Sequence, residues 1–469
     1  MKKKQLRWTL WTIASPFILF IILCILIYLP PIQNFLVDKA AVYASEATGM
    51  NISVGRISLS FPLNLVVTDV DAASPHKDTL LSVRRLQVNV QLLPLLKKQV
   101  EVDGISLQGA TVNSNDLIHG MRLNGTLGEL FISSHGVALD PETAIVNKVL
   151  LKDTDLSLCL NDTAAADTAA SDPTYWKIIL QDIDLQNVSF ALDMPLDSLS
   201  LAASLDNATL RDGLIDLHKS AYSLQTFRIK NGRVRYDSGR PSATASADSL
   251  SAGLDPSHIA LTDIGVKLDS LYYEGRNMKA VISQFVLKER SGVEIVSTEG
   301  RLVSNDKVLR VPSLKLETRD SYLELNAAMD WDALDFKKEG LVSARLMADI
   351  GKPDVVRFMG SMDEKFIRKY PSEPLRIRTG IDGDLNKLKL TTLTAELPGA
   401  LELFAKGELT SLTDSLLRGG DITLQAETKD LKFISTLAEG IEIPYGTRLE
   451  GKFTMAGPKM GHGPVADAA

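Results

Sequence analysis

Apolar positions along the chain follow three regimes. The first is a predominantly apolar run from Trp8 to Leu29, WTLWTIASPFILFIILCILIYL, with no Asp, Glu, Lys, Arg or His between Arg7 and Asp38. At ~1.5 Å rise per residue this run covers roughly 33 Å, enough to cross a hydrocarbon core of about 30 Å. Trp8, Trp11 and Tyr28 lie near its ends, where amphipathic rings favour the headgroup zone. The second regime is a short helix from Pro30 to Gly49, with proline in its first turn and glycine as its stop. The third begins after Gly49 and has a period of two. Leu86, Val88, Val90 and Leu92 alternate with Arg85, Gln87, Asn89 and Gln91, the signature of strands with one dry face.

The same alternation recurs at Ile183/Leu185 then Val188/Phe190/Leu192, Val281/Ser283/Phe285/Leu287, Leu314/Leu316, Leu323/Leu325/Ala327, Val342/Ala344/Leu346, Leu401/Leu403/Ala405 and Ile422/Leu424/Ala426. The slip at Gln186-Asn187 reads as a bulge or tight bend. Asp103-Gly104, Asn124-Gly125, Asn231-Gly232 and Asp382-Gly383 are hairpin-type signals. On that reading, VEVDGISLQGATV from Val100, ILQDIDLQNVSF from Ile179 and FRIKNGRVRYD from Phe227 each pair two strand segments around a turn. Their spacing is irregular, which predicts a meander and not a strict-period solenoid.

The resulting organisation is a basic tail over 1–7, a membrane span over 8–29, the short helix over 30–49 and β segments over 50–160, 175–350 and 372–456. Asn161 to Pro173 (NDTAAADTAASDP) is small and polar and predicts a flexible loop over 161–174. A helical insertion is expected over 351–371, and a frayed tail over 457–469.

The basic cluster Lys2-Lys3-Lys4/Arg7 precedes the apolar run, so the N-terminus is expected in the cytoplasm and the bulk of the chain beyond the membrane. A cleaved signal peptide is the competing reading. Its apolar region runs only about 7–15 residues before a small-x-small site, whereas here the run is longer and ends in Leu29-Pro30-Pro31. With 469 residues, several domains or one elongated architecture is required. The net charge of −7 gives no footprint for nucleic acid. Cys24 lies in the span and Cys159 in a strand, so no disulfide framework is available.

No catalytic constellation emerges. The six histidines stand outside metal-ligand spacing of one another and of the cysteines, and no phosphate-binding glycine loop or zincin motif occurs. Gly104-Ile-Ser-Leu-Gln-Gly109 resembles a nucleophile elbow only superficially, because its serine sits in an alternating strand. Asp182/Asp184 and Asp153/Asp155 are paired carboxylates that strand alternation explains equally well. The chain is therefore read as a non-enzyme without cofactor or metal.

A physical problem replaces the missing chemistry. Many strands carry one apolar face, yet few helices are available to cover them. Either the faces pack on one another, or a curled sheet encloses an apolar groove that needs a nonpolar occupant. Beyond a membrane, lipid acyl chains are the abundant candidate. On the groove reading, Val88, Val90, Leu92, Leu185, Phe190, Phe285, Leu316, Leu325, Leu346 and Leu403 are the expected lipid-binding positions. Gln87, Asn89, Lys315, Glu324 and Arg345 are expected to face water.

The order of basic tail, anchor, short helix and first strands resembles the N-terminal region of TamB and the wider AsmA-like envelope proteins of Gram-negative bacteria. Val54-Gly55-Arg56-Ile57, Leu95-Leu96-Lys97-Lys98 and Val102-Asp103-Gly104-Ile105 occupy that family's recurrent stretches. The resemblance covers about residues 1–115 and continues more weakly to about 455. It implies a mainly β fold, in which an inner-membrane transmembrane helix leads into an elongated periplasmic antiparallel β-meander curled into an open groove, a β-taco, with few short helices. It implies phospholipid transport toward the outer membrane as in bridge-like lipid-transfer proteins, outer-membrane protein assembly, and an outer-membrane barrel partner of the BamA/TamA type. TamB proteins are much longer and end in a C-terminal domain that meets the barrel. None is read here, so the chain is expected to be a fragment of such a protein or a shorter AsmA-like one.

Overall fold

The computed structural model describes the chain from residue 39 to residue 468, apart from 61–63, 75–78, 92–101, 115–119, 139–141, 162–174, 240–252, 336–337, 360–363, 413–417, 435–443, 456–465 and positions 40, 43, 44, 47, 48 and 385. The expected membrane span at 8–29 lies outside the described residues, as do Leu92 and nearly all of the 161–174 stretch. Among the described residues, no helix is long and apolar enough to cross a membrane. Residues 39, 41, 42, 45 and 46 are helical, and Gly49 sits at φ +69 and donates to the Ser45 carbonyl (2.9 Å). Glycine reaches this left-handed conformation without a Cβ clash.

The protein is mainly β, and its described residues divide into two compact units that meet in sequence at Asn207/Ala208. The first contains β1 (Asn51–Ser60), β2 (Asn64–Ala73), β3 (Thr79–Val90), β4 (Val102–Asn113), β5 (Met121–Ala138), β6 (Thr143–Leu160) and β7 (Lys177–Met194). Strands β1 to β6 form an antiparallel meander, but β7 lies parallel to β6. A parallel return requires a long crossover, and the segment 161–176 has the necessary length.

Strand β8 (Leu199–Asp216) carries the boundary. The second unit continues with β9 (Ala221–Leu224), β10 (Thr226–Ser238), β11 (His258–Glu274), β12 (Asn277–Glu289), β13 (Glu294–Ser304), β14 (Val308–Thr318), β15 (Tyr322–Asp330) and β16 (Leu341–Ile350). Helices α1 (Lys352–Phe358) and α2 (Glu364–Lys369) follow, where a single helical insertion was expected. The unit ends with β17 (Leu375–Asp384), β18 (Lys387–Leu397), β19 (Leu401–Thr410), β20 (Gly419–Thr428), β21 (Arg448–Met455) and β22 (Ala466–Ala468). From β10 to β21 each strand pairs antiparallel with the next. The expected tail over 457–469 contributes β22, which pairs with Phe453–Met455 of β21.

The hairpin reading of the Asx-Gly dipeptides is wrong. Asp103-Gly104, Asn124-Gly125 and Asn231-Gly232 lie inside β4, β5 and β10, and Asp382-Gly383 lies inside β17 beside its turn. The three stretches read as pairs of short strands are single long strands that bend. Asp69, Gly109, Asp153 and Asn187 have φ near +50 to +61 in mid-strand. Register places Gly55, Asp69, Arg84, Gly109, Gly128, Asp153 and Asn187 side by side, one per strand from β1 to β7. At this row the apolar alternation slips by one residue, as at Val83 to Leu86 and Leu185 to Val188. Short polar side chains tolerate the left-handed conformation, and such bulges bend a strand. The bend expected at Gln186-Asn187 is thus one member of a row crossing the whole unit.

Candidate functional site

Directly paired residues on neighbouring strands project to the same face of a sheet, so register traces a face from strand to strand. In the first unit one row reads Ile57, Val67, Leu86, Leu107, Leu130, Leu151, Leu185. The next reads Leu59, Leu65, Val88, Ile105, Ile132, Val149, Ile183. Beyond the bent row, Val54, Val70, Val83, Ala110, Leu127, Thr154 and Val188 align in the same way. Every member of the first two rows is aliphatic. Val88 and Leu185 fall in them, Val90 pairs with Val102, and Phe190 pairs with Leu156 and is 38% exposed.

The second unit has a longer counterpart. From β10 to β21, a single row runs Phe227, Leu268, Ile282, Gly300, Leu314, Leu325, Leu346, Thr379, Leu393, Ala405, Leu424, Gly451. Beside it run Thr298, Leu316, Leu323, Ala348, Ile377, Ala395, Leu403, Ala426 and Leu449. Phe285 pairs with Val266 and projects to the same face. All five positions expected in this unit therefore share one face. Lys315, Glu324 and Arg345 occupy the opposite face, and Lys315 and Arg345 are exposed there. In the first unit Gln87 and Asn89 alternate out from Val88, and their side chains hydrogen-bond to each other (3.0 Å).

One expected run changes. Val281 pairs with Arg301 and turns away from Phe285, because the register of β12 slips between Phe285 and Ile282. Ile282, Ala280 and Met278 carry the apolar face there. An even spacing of apolar residues cannot reveal such a slip when both neighbouring positions are apolar.

Protein covers these rows only in part. Leu107, Leu130, Leu151, Leu314, Leu325, Leu346, Leu393 and Leu403 are all half-buried, although a filled core would close each of them. A half-covered leucine forgoes on the order of 1 kcal/mol relative to full burial. Among the described residues, the compact apolar cluster is at the end of β17–β19, where Phe366, Tyr370, Leu431 and Phe433 close over Leu397 and Ala400. Phe366 and Phe433 meet edge-on, with centroids 5.8 Å apart.

Beside Leu403 is an open depression of about 540 Å³, lined by Ala395, Ala426 and Leu449 together with Glu396, Glu402, Glu427 and Arg448. The three glutamates stand opposite one another across β18, β19 and β20, an unfavourable row of like charges. Arg376 (3.4 Å from Glu396) and Lys429 (2.9 Å from Glu402) relieve it. The Glu402 hydrogen bond, followed by its charge, holds Lys429 above the usual lysine range.

The paired carboxylates have structural partners: Asn187 donates to Asp153 (2.9 Å) and Ser189 to Asp155 (2.6 Å). Among the described residues, no group of His, Cys, Asp and Glu is arranged to hold a metal ion. Comparison of the sequence with known family models and with characterised proteins finds no match.

Proposed function

We propose that this protein is an inner-membrane-anchored, periplasmic protein of outer-membrane biogenesis whose apolar β faces shield phospholipid acyl chains between membranes. The observation that carries this reading is the pair of largely apolar faces, one in each unit, most of whose side chains remain partly exposed among the described residues. A face of this extent in water calls for a nonpolar partner. A mobile chain-like lipid suits rows of branched aliphatic side chains without fixed polar contacts. A role in outer-membrane protein assembly with a barrel partner belongs to the same proposal and rests on the resemblance of the first strands. The alternative is an anchored structural or adhesive β domain whose faces are closed by protein.

A photo-crosslinking residue at Val90 or Leu325 is expected to capture lipid in cells, whereas one at Asn89 or Glu324 is not. Equal labelling of both faces, or none on either, would favour the closed domain. The anchor has its own test. A reporter fused after Gly49 is expected to be active only outside the cytoplasm, with the mature chain beginning at Met1 or Lys2. A processed N-terminus near Pro31 would overturn it.

A further inference from the structure

Helices α1 and α2 interrupt the meander between β16 and β17, and their contacts reach well beyond those two strands. Asp354 of α1 is 1% exposed. Its carboxylate accepts from the Thr318 hydroxyl, from the Ser321 hydroxyl (2.6 Å) and from Arg357 (3.0 Å). Arg357 also donates to Asp320 (2.8 Å), so α1 is fastened to the β14–β15 turn. The same arginine lies against Gly292 in the β12–β13 turn, and its carbonyl accepts from the Leu254 amide (2.7 Å) ahead of β11. In the other direction, Phe366 of α2 is 2% exposed and packs on Ala400 of the β18–β19 turn and on Leu431 and Phe433 beyond β20. Lys352 joins the two helices by donating to the Tyr370 carbonyl (2.7 Å).

These contacts lie along one edge of the second unit, where strands otherwise touch only their neighbours. Bends elsewhere in the unit are local. Asp212, Asn231 and Asp263 sit at φ near +50 in β8, β10 and β11, and the pairings of β12 with β11 and of β14 with β13 and β15 show register slips. The pairings of β15 with β16 and of β16 with β17 have none, and run without a break from Tyr322↔Asp349 to Met329↔Val342 and from Leu341↔Asp384 to Ile350↔Leu375. The helices cross at the ends of these three evenly paired strands.

We infer that α1–α2 is a strap that holds the strand ends of β12 to β19 at a fixed spacing and so limits how far the apolar face of this unit opens. The Asp354–Arg357–Asp320 cluster is its fastening, and Phe366 is its anchor at the far end. The consequence for lipid rests on the function proposed above; the mechanical role does not.

The test uses the full chain, with Arg357→Ala, Arg357→Lys and wild type compared by hydrogen exchange. Turnover of co-purified lipid against phosphatidylcholine vesicles is measured on the same samples. Arg357→Ala is expected to speed exchange about tenfold at 318–321 and also at 397–401, which Arg357 does not touch. The interior of β19 is expected to stay protected, Arg357→Lys to recover most of the protection, and lipid turnover to rise severalfold in the alanine variant. Faster exchange confined to 318–321 would overturn the strap. The expected exchange pattern in proteins that carry no lipid would support the strap and overturn the lipid reading. Should Arg357→Ala fail to accumulate, Phe366→Leu makes the same test from the other end, with 318–321 as the remote reporter.

Discussion

Leu325→Arg is expected to leave an exported, protease-resistant protein that carries severalfold less lipid and fails to support envelope integrity. Leu325 stands between Leu314 and Leu346 in the middle of the row from β10 to β21, and it is half-buried. In a filled core, an unpaired arginine there would cost several kcal/mol and the chain would be lost. On an open face, the long side chain keeps its head solvated while its stem covers neighbouring aliphatic surface. The strand itself is paired on both sides, with β14 and, without a break, with β16, so the sheet survives. What changes is the face, which now places a charge in the path of an acyl chain. Leu403→Arg is expected to behave alike, because its row neighbours Ala395 and Ala426 are small and leave room for the stem. Each variant is expressed from its own locus, its level is measured, and detergent sensitivity is scored. Disappearance of the protein would favour the closed core. Normal levels with a normal envelope would sink the conduit reading for that part of the wall.

The apolar face was legible in the sequence because strand alternation survives wherever a strand is straight. Leu323/Leu325/Ala327 and Val342/Ala344/Leu346 were placed on one face from spacing alone, and register puts them there. The bends were harder to read. Asn187 announces itself because Leu185 and Val188 are both apolar and three apart, which no regular strand accommodates. Asn231-Gly232 looked like a hairpin because Asx and Gly favour the left-handed region in turns and bulges alike. Local propensity at φ +56 is satisfied by either outcome, and only pairing with β11 decides between them. The parallel pairing of β7 on β6 had no local signal, since a strand's sequence does not encode the direction of its neighbour. The strap was half visible. Helical character at 352–369 could be read, but the destination of Arg357 and Phe366 depends on turns that are distant in sequence.

Asn187→Val is expected to destabilise the first unit by roughly 1.5–3.5 kcal/mol, while Asn187→Gly changes it by about 1 kcal/mol or less. Asn187 holds φ +50 in the middle of β7 and donates to Asp153, itself at φ +50, across the β6–β7 pair. Forcing a residue with a Cβ into the left-handed region costs ~1–2 kcal/mol, and a branched side chain is worse than asparagine. Either substitution removes the hydrogen bond, a further ~0.5–1.5 kcal/mol. Glycine recovers part of that loss because it enters the conformation freely. The contrast between the two variants isolates backbone geometry from the side-chain contact. Urea midpoints of the full chain give the energies, and hydrogen exchange across β6 and β7 shows whether the loss is local to the bend. If valine relaxes the bend, Leu185 and Val188 can no longer both present to the apolar face, because regular alternation places residues three apart on opposite faces. Lipid capture at Val90 in the same unit then falls together with stability. Valine and glycine tolerated equally would mean that β7 does not need its left-handed residue, and that the row from Gly55 to Asn187 does not shape the face.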